Sequence, residues 1–189
     1  MAEVVLFHHA QGLTPGVIAL ADELRAAGHT IHTPDMYDGR TFDNLDDGIG
    51  CAREIGFDTV LDRGVHAGEA LPAEVVYAGI SLGVMPAQKL AQTRHGARGA
   101  LLLEGCIPVS EFGDAWPDSV PVQVHGMESD EFFAEDADAA RALVDEAKDG
   151  ELFLYPGDKH LFTDPSLSSH DAEAAALVKR RVLDFLSKR

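Results

Sequence analysis

A serine lies between two glycines in the pentapeptide GISLG, residues 79–83. The apolar run EVVYAGIS that contains it predicts a β-strand, and a helical pattern starts directly afterwards at Val84. A chain that turns at once from strand into helix strains the corner residue and exposes its hydroxyl, while flanking glycines allow strand and helix to approach closely. The segment therefore predicts that Ser81 is a nucleophile at the carboxyl edge of a sheet. The alternative is a glycine-rich turn that only packs the helix on its strand.

A serine hydroxyl needs a general base, and a carboxylate must orient that base. Where the nucleophile sits on such a strand-to-helix turn, the chain order is serine, acid, histidine. Asp130 follows the apolar run VPVQVHG, and His160 follows the run ELFLYPG. We therefore predict a catalytic triad of Ser81, Asp130 and His160. Glu128 lies two residues before Asp130 and remains an alternative acid.

The neighbouring carboxylates and histidines have simpler interpretations. Asp158 and Asp164 are close to His160 in sequence and are expected to be solvated loop charges. His125 ends a predicted strand and is expected to be a structural histidine. His170 lies at the start of the last predicted helix and is expected at the surface or in a helix cap.

Acyl transfer also requires hydrogen-bond donors for the oxyanion of the tetrahedral intermediate. One donor is expected to be the backbone N–H of Leu82, the residue after the nucleophile. The other is expected from the loop FHHAQGLTPG after the first strand, as the N–H of Ala10 or Gln11. Because backbone groups supply this function, side-chain identity says little about it.

The substrate pocket is expected to be built by loops that follow the strands. The residues predicted to line it are His9, Tyr37, Cys106 and Phe162. A metal site is not predicted. Adjacent residues on a strand point to opposite faces, so His8 and His9 cannot easily share an ion.

Composition narrows the class of protein. The chain has 189 residues, of which 46% are hydrophobic and 25% charged, and this is typical of one soluble globular domain spanning residues 1–189. The formal net charge of −17 argues against nucleic acids and anionic membranes as partners. The two cysteines form neither a disulfide framework nor a zinc motif, and no secretory signal or membrane-spanning run is visible. We expect a cytoplasmic location.

Apolar, β-branched runs alternate with helical patterns along the chain, which predicts a mostly parallel central sheet with helices on both faces. Strands are predicted at Glu3–His9, His29–Pro34, Glu74–Ser81, Ala97–Gly105, Val120–Gly126 and Glu151–Gly157. Helices are predicted at Pro15–Ala27, about Leu45–Glu69, Val84–Thr93, Glu135–Lys148 and His170–Ser187.

Together these segments resemble the dienelactone hydrolase family, within the α/β-hydrolase fold, in its short single-domain form without a cap domain. The resemblance is carried by VVLFHHAQGLTPGV, TPDMYDGRTF, the GISLG turn, HGMESD and GDKHLF, which together extend through nearly the whole chain. Dienelactone hydrolases proper have cysteine as nucleophile, where this chain has Ser81. Their first-strand loop has a glutamate where this chain has His9. The resemblance thus implies the fold and a hydrolase class, without the dienelactone substrate.

The sequence predicts a serine hydrolase that cleaves a small ester, lactone or related acyl substrate through an acyl-enzyme, without cofactor or metal. The alternative from another class is a catalytically inactive α/β-hydrolase-fold protein that serves in binding or regulation. A flavodoxin-like or nucleotide-binding protein is disfavoured, because HHAQGLTPG contains neither G-x-G-x-x-G nor the P-loop pattern.

Overall fold

Six strands form a single sheet in the computed structural model, which describes all 189 residues. The strands are β1 (Glu3–Phe7), β2 (Thr30–His32), β3 (Val76–Ile80), β4 (Gly99–Leu103), β5 (Val122–Met127) and β6 (Gly150–Tyr155). Their order is β2-β1-β3-β4-β5-β6, and every neighbouring pair is parallel. The prediction of a parallel sheet is confirmed.

Helices cover both faces of the sheet. They are α1 (Pro15–Ala26), α2 (Leu45–Ile55), α3 (Phe57–Glu69), α4 (Val84–Thr93), α5 (Glu131–Glu146) and α6 (Ala172–Leu186). Alternate strand residues enter two separate cores: Val5 and Phe7 pack with α2, α3, α4 and α5, whereas Val4 and Leu6 pack with α1 and α6. No helix is both long and apolar enough to cross a membrane.

Two helices differ from the sequence prediction. The single helix expected over Leu45–Glu69 is divided into α2 and α3 at Gly56, whose φ of +92° is a conformation that glycine adopts without strain. The helix expected from Glu135 begins at Glu131, because the Asp130 side chain caps its first turn. The first correction concerns backbone conformation and the second concerns helix capping, and hydrophobic periodicity predicts neither.

The first helix begins and ends as its sequence predicts. Thr14 is the N-cap, and its hydroxyl oxygen accepts a hydrogen bond from the N–H of Val17 at 3.2 Å. Pro15 occupies the first turn, and Gly28 follows the helix with φ +95°. The N-terminal cap fixes where the loop between β1 and α1 ends.

Parallel strands bring their carboxyl ends to one edge of the sheet. Ser81 follows β3, Asp130 follows β5 and His160 lies in the loop after β6, so all three reach this edge. The loop after β1, which contains Ala10 and Gln11, begins at the same edge.

Candidate active site

Ser81 occupies a strained turn between β3 and α4. Its φ is +49°, a left-handed conformation that is uncommon for a residue with a side chain. A Cβ added to Gly79 would lie 2.1 Å from the carbonyl oxygen of Gly83, and one added to Gly83 would lie 2.3 Å from that of Phe7. The glycines are therefore required by close backbone approach, and the turn presses against the end of β1.

Three side chains form a hydrogen-bonded chain at this turn. The Nδ1–H of His160 donates to Oδ2 of Asp130 at 2.7 Å. In the neutral ring Nε2 is then the acceptor, and Oγ of Ser81 lies 2.8 Å from it. The structure thus places all three residues of the predicted triad in contact, in the geometry of a nucleophile, a base and an orienting acid.

Asp130 also caps the helix α5. It is buried, and its Oδ1 accepts the N–H of Phe132 at 3.0 Å, which caps α5. Glu128 is exposed and makes no side-chain contact with His160. Of the two candidate acids, Asp130 is therefore the one that the fold brings to His160.

A cavity of about 210 Å³ opens beside Ser81. Its wall includes the serine, Leu82, Cys106 and His160. A second, apolar cavity of about 160 Å³ lies between α1 and α6 and contains none of the triad side chains. The cavity at Ser81 is therefore the candidate active site.

Only one of the four predicted pocket residues reaches this cavity. Cys106 lines it. Tyr37 packs its ring against His8, and Phe162 packs against Tyr155 in the other core, so both are fully buried away from the cavity. His9 is also buried, and its ring is held by hydrogen bonds elsewhere. The position of a residue within a loop does not predict the direction in which its side chain points.

The two backbone donors predicted from the loop after β1 differ in whether they have a partner. The N–H of Gln11 donates to Nδ1 of His9 at 3.2 Å and is therefore engaged. The N–H of Ala10 donates to no other group of the chain. Of the two donors predicted from this loop, only the N–H of Ala10 is free of a partner within the chain.

Asp164 ties this loop to the loop that carries His160. Its Oδ2 accepts hydrogen bonds from Nε2 of His9 at 2.8 Å and from the hydroxyl of Thr14. Its Oδ1 accepts the N–H and hydroxyl of Ser166 at 2.8 and 2.6 Å. Only 1% of Asp164 is exposed, so the prediction of a solvated loop charge was wrong.

The hydrogen bonds to Asp164 favour its charged form. Burial by itself would raise the pKa of this carboxyl, but the bonds from His9, Ser166 and Thr14 together outweigh burial and lower the pKa to about 2. The folded-state pKa is thus below the unfolded value. Asp164 therefore stabilises the protein above about pH 4, and this contribution is lost as the pH falls towards 2.

We expect the Asp164→Asn variant to lack this acid-sensitive contribution. In wild type, the free energy of unfolding should fall by about 2 kcal/mol more than in the variant between roughly pH 5 and pH 2, as measured by urea denaturation. Asp158→Asn, which alters an exposed carboxyl of the same loop, should follow the wild-type curve. Equal pH dependence of wild type and Asp164→Asn would contradict the assigned charge state.

A second buried carboxyl holds the same loop. Glu104 follows β4 with φ +59°, and its Oε1 accepts the N–H of Thr163 at 3.0 Å. It lines the cavity beside Ser81, although it is only 1% exposed. The segment after His160 is therefore fastened at two consecutive residues, by Glu104 and by the contacts of Asp164.

His125 and His8 are buried structural histidines. His125 is buried, its Nδ1 lies 2.9 Å from the hydroxyl of Tyr155, and burial lowers its pKa to about 3. His8 donates from Nδ1 to the carbonyl of His9, accepts the N–H of Met36, and has its pKa lowered to about 4, chiefly by burial. The rings of His8 and His9 bind different partners, and no group of three His, Cys, Asp or Glu is arranged to hold a metal ion.

Sequence reasoning missed four residues around the site. Three of them, Phe132 and Asp136 of α5 and Glu104 after β4, line the cavity. The fourth, Asp164, lies in the loop that carries His160 and bonds it to His9. One signal was available for Glu104, because it ends the apolar run GALLL at the edge where the chemistry was expected. The other three gave no comparable signal.

Comparison with solved structures agrees with this fold. A promiscuous, dienelactone hydrolase-like phosphotriesterase from metagenomic libraries is 22% identical, with a TM-score of 0.79 over 100% of this chain and 86% of its own. A dienelactone hydrolase from Anabaena variabilis is 16% identical, with a TM-score of 0.68 over 99% and 86% of the two chains. An esterase from Thermogutta terrifontis is 15% identical, with a TM-score of 0.68 over 99% and 83%. These likenesses show an α/β-hydrolase fold.

Sequence comparison extends this to a family. No protein of curated function matches the chain significantly. The family model for dienelactone hydrolases, however, matches residues 1–189, which is the whole chain. The resemblance inferred from the motifs is confirmed, and the chain belongs to the dienelactone hydrolase family.

Proposed function

We propose that this family member is a serine esterase or lactonase that acts on small acyl substrates through an acyl-enzyme intermediate. The observation that carries the proposal is the chain of two hydrogen bonds, 2.8 and 2.7 Å, from Ser81 through His160 to Asp130. The cavity of about 210 Å³ is smaller than the roughly 300–1,000 Å³ of most ligand pockets, which favours a small substrate.

The proposed reaction begins with attack by Ser81. Oγ forms a bond to the substrate carbonyl carbon while its proton passes to Nε2 of His160, and Asp130 stabilises the resulting imidazolium. The oxyanion is stabilised by the N–H groups of Leu82 and Ala10. Collapse of this intermediate breaks the ester C–O bond, and the leaving alcohol takes the proton from Nε2.

Water then releases the acyl group. His160 accepts a proton from the attacking water, and a second tetrahedral intermediate forms at the acyl carbon. Its collapse breaks the bond to Oγ of Ser81, which regains a proton from His160, and the carboxylic acid leaves. No step requires a cofactor, and the substrate is a small molecule.

Cys106 also lines the cavity. It has to be compared with Ser81 as a candidate nucleophile, because dienelactone hydrolases proper use cysteine. Its Sγ lies 3.7 Å from the carbonyl oxygen of Ile107, and burial, reinforced by Asp136, raises its pKa to about 12. A thiol attacks as the thiolate, so this cysteine stays protonated and unreactive at neutral pH. Ser81 is the better candidate.

Labelling with a fluorophosphonate probe tests the proposal. We expect stoichiometric modification of Ser81, identified by peptide mass spectrometry, and hydrolysis of p-nitrophenyl acetate by the same preparation. A folded protein that neither reacts with the probe nor hydrolyses the ester, under conditions that label a control esterase, would instead support the inactive binding or regulatory protein.

A further inference from the structure

Acidic side chains surround the candidate active site without a cationic partner. Glu104 lies at its inner wall, Asp136 is half-buried, and Glu135 is exposed. No lysine or arginine lines the cavity. Lys159 is adjacent to the base in sequence, but its Nζ donates to the carbonyl oxygen of His170 at 3.1 Å and is directed away.

Glu104 has an unsatisfied oxygen in this wall. Its Oε1 accepts the N–H of Thr163, whereas its Oε2 is buried without any hydrogen-bond partner. Burial raises the pKa of Glu104, and the attraction of His160 and the bond from Thr163 oppose this only in part. A buried carboxyl oxygen without a partner is unfavourable, so a positively charged group nearby would stabilise it.

Asp136 is subject to the same imbalance. Its Oδ2 accepts the N–H of Cys106 at 3.1 Å. Burial raises the pKa of Asp136, the Cys106 bond and His160 lower it, and the nearby carboxylates of Glu135 and Asp130 raise it further. Negative groups therefore crowd one another on this side of the cavity, and a cation would relieve their repulsion.

An aromatic ring completes the wall. Phe132 is 47% exposed and lines the cavity, and its ring centroid is 4.7 Å from that of His160. The face of an aromatic ring attracts ammonium groups, and aromatic rings are a recurring means of binding quaternary ammonium. The ring and Asp136 both come from α5, so they are presented together.

We propose that the cavity selects ester substrates that carry a positively charged ammonium group and discriminates against substrates that carry a carboxylate. Glu135 and Asp136 supply the negative field, Glu104 offers its partnerless Oε2 to the ammonium group, and Phe132 supplies the aromatic surface. This inference rests on the proposed esterase function of the same site. The formal net charge of −17 would also attract cationic substrates to the protein as a whole.

Three acetate esters separate charge from shape. Acetylcholine and 3,3-dimethylbutyl acetate have nearly the same shape and differ by one positive charge, and 4-acetoxybutanoate carries a negative charge. We expect kcat/KM for acetylcholine to exceed that for the neutral ester by about tenfold, which corresponds to about 1.4 kcal/mol, and the anionic ester to be the poorest. Tetramethylammonium should inhibit hydrolysis of the neutral ester competitively.

Variants identify the groups responsible. Asp136→Asn keeps an acceptor for the Cys106 N–H, and it should lower the ratio of kcat/KM for acetylcholine to that for the neutral ester at least threefold. Glu104→Gln should lower the same ratio. Asp145→Asn removes one charge from an exposed position of the same helix, and the ratio should stay at the wild-type value.

The possible outcomes separate this inference from the proposed function. Hydrolysis of the neutral ester with a charge ratio near one, or with preference for the anionic ester, would overturn the inference and leave the esterase intact. An equal fall of the ratio in Asp145→Asn and Asp136→Asn would attribute the preference to net charge and would also overturn it. Absence of both fluorophosphonate labelling and hydrolysis of any ester would reject the esterase function itself.

Discussion

Replacing Ser81 by alanine is expected to lower turnover of p-nitrophenyl acetate by about a million-fold and to abolish fluorophosphonate labelling, because it removes the attacking atom. The fold should persist. Alanine leaves the backbone at φ +49° under the same strain as serine and deletes only a hydroxyl whose hydrogen bond is to His160. Circular dichroism and the thermal midpoint should therefore match wild type.

Ser129→Ala is the matched control for this experiment. Ser129 is an exposed serine in the loop between β5 and α5, and its hydroxyl makes no hydrogen bond within the chain. Its activity and labelling should equal those of wild type. A purified Ser81→Ala protein that retained esterase activity well above this expected loss would contradict the nucleophile assignment.

Replacing Asp130 by asparagine is expected to lower turnover by about ten-thousand-fold. The amide cannot hold His160 in the tautomer that leaves Nε2 free to accept the Ser81 proton, nor stabilise the imidazolium. Stability should change little, since the asparagine oxygen can still accept the N–H of Phe132 and asparagine is a favourable N-cap residue. The loss should therefore appear in kcat without a comparable loss of the folded state.

Glu128→Gln is the natural comparison, because it alters an exposed carboxylate two residues earlier in the same loop. Its kcat for p-nitrophenyl acetate should remain within a few-fold of wild type. If Glu128→Gln were the severely impaired variant and Asp130→Asn the mild one, the orienting acid would be Glu128, and the loop would have to rearrange during catalysis.

The loop that carries His160 shows which site residues of a loop can be predicted from sequence and which cannot. His160 itself was predictable from chain order, since it follows a strand at the edge where Ser81 lies. Asp164, four residues later, was expected in water and is buried. Its partner His9 is 155 residues away in sequence, and no local pattern encodes a contact over that separation.

The wall of the cavity beside Ser81 was also only partly predictable from sequence. Glu104 could be located at the correct edge, because it directly follows the apolar strand β4. Its burial and its bond to Thr163 depend on how the loop after β6 folds over it. Phe132 lies before the helix that the sequence predicted and belongs to α5 only because that helix begins at Glu131, and which side of α5 faces the cavity is set by tertiary packing.

The sequence by itself determined the parallel sheet, the strained serine between close-packed glycines, and the order in which acid and histidine follow. These features depend on short-range periodicity and backbone sterics, and parallel strands necessarily bring their ends to one edge. Only the tertiary structure showed that Asp130 and not Glu128 is hydrogen-bonded to His160, that the N–H of Gln11 donates to His9, and that Glu104 and Asp136 lie in the cavity wall. The physical reason is that side-chain direction and burial in loops are set by contacts between distant segments, which no local pattern contains.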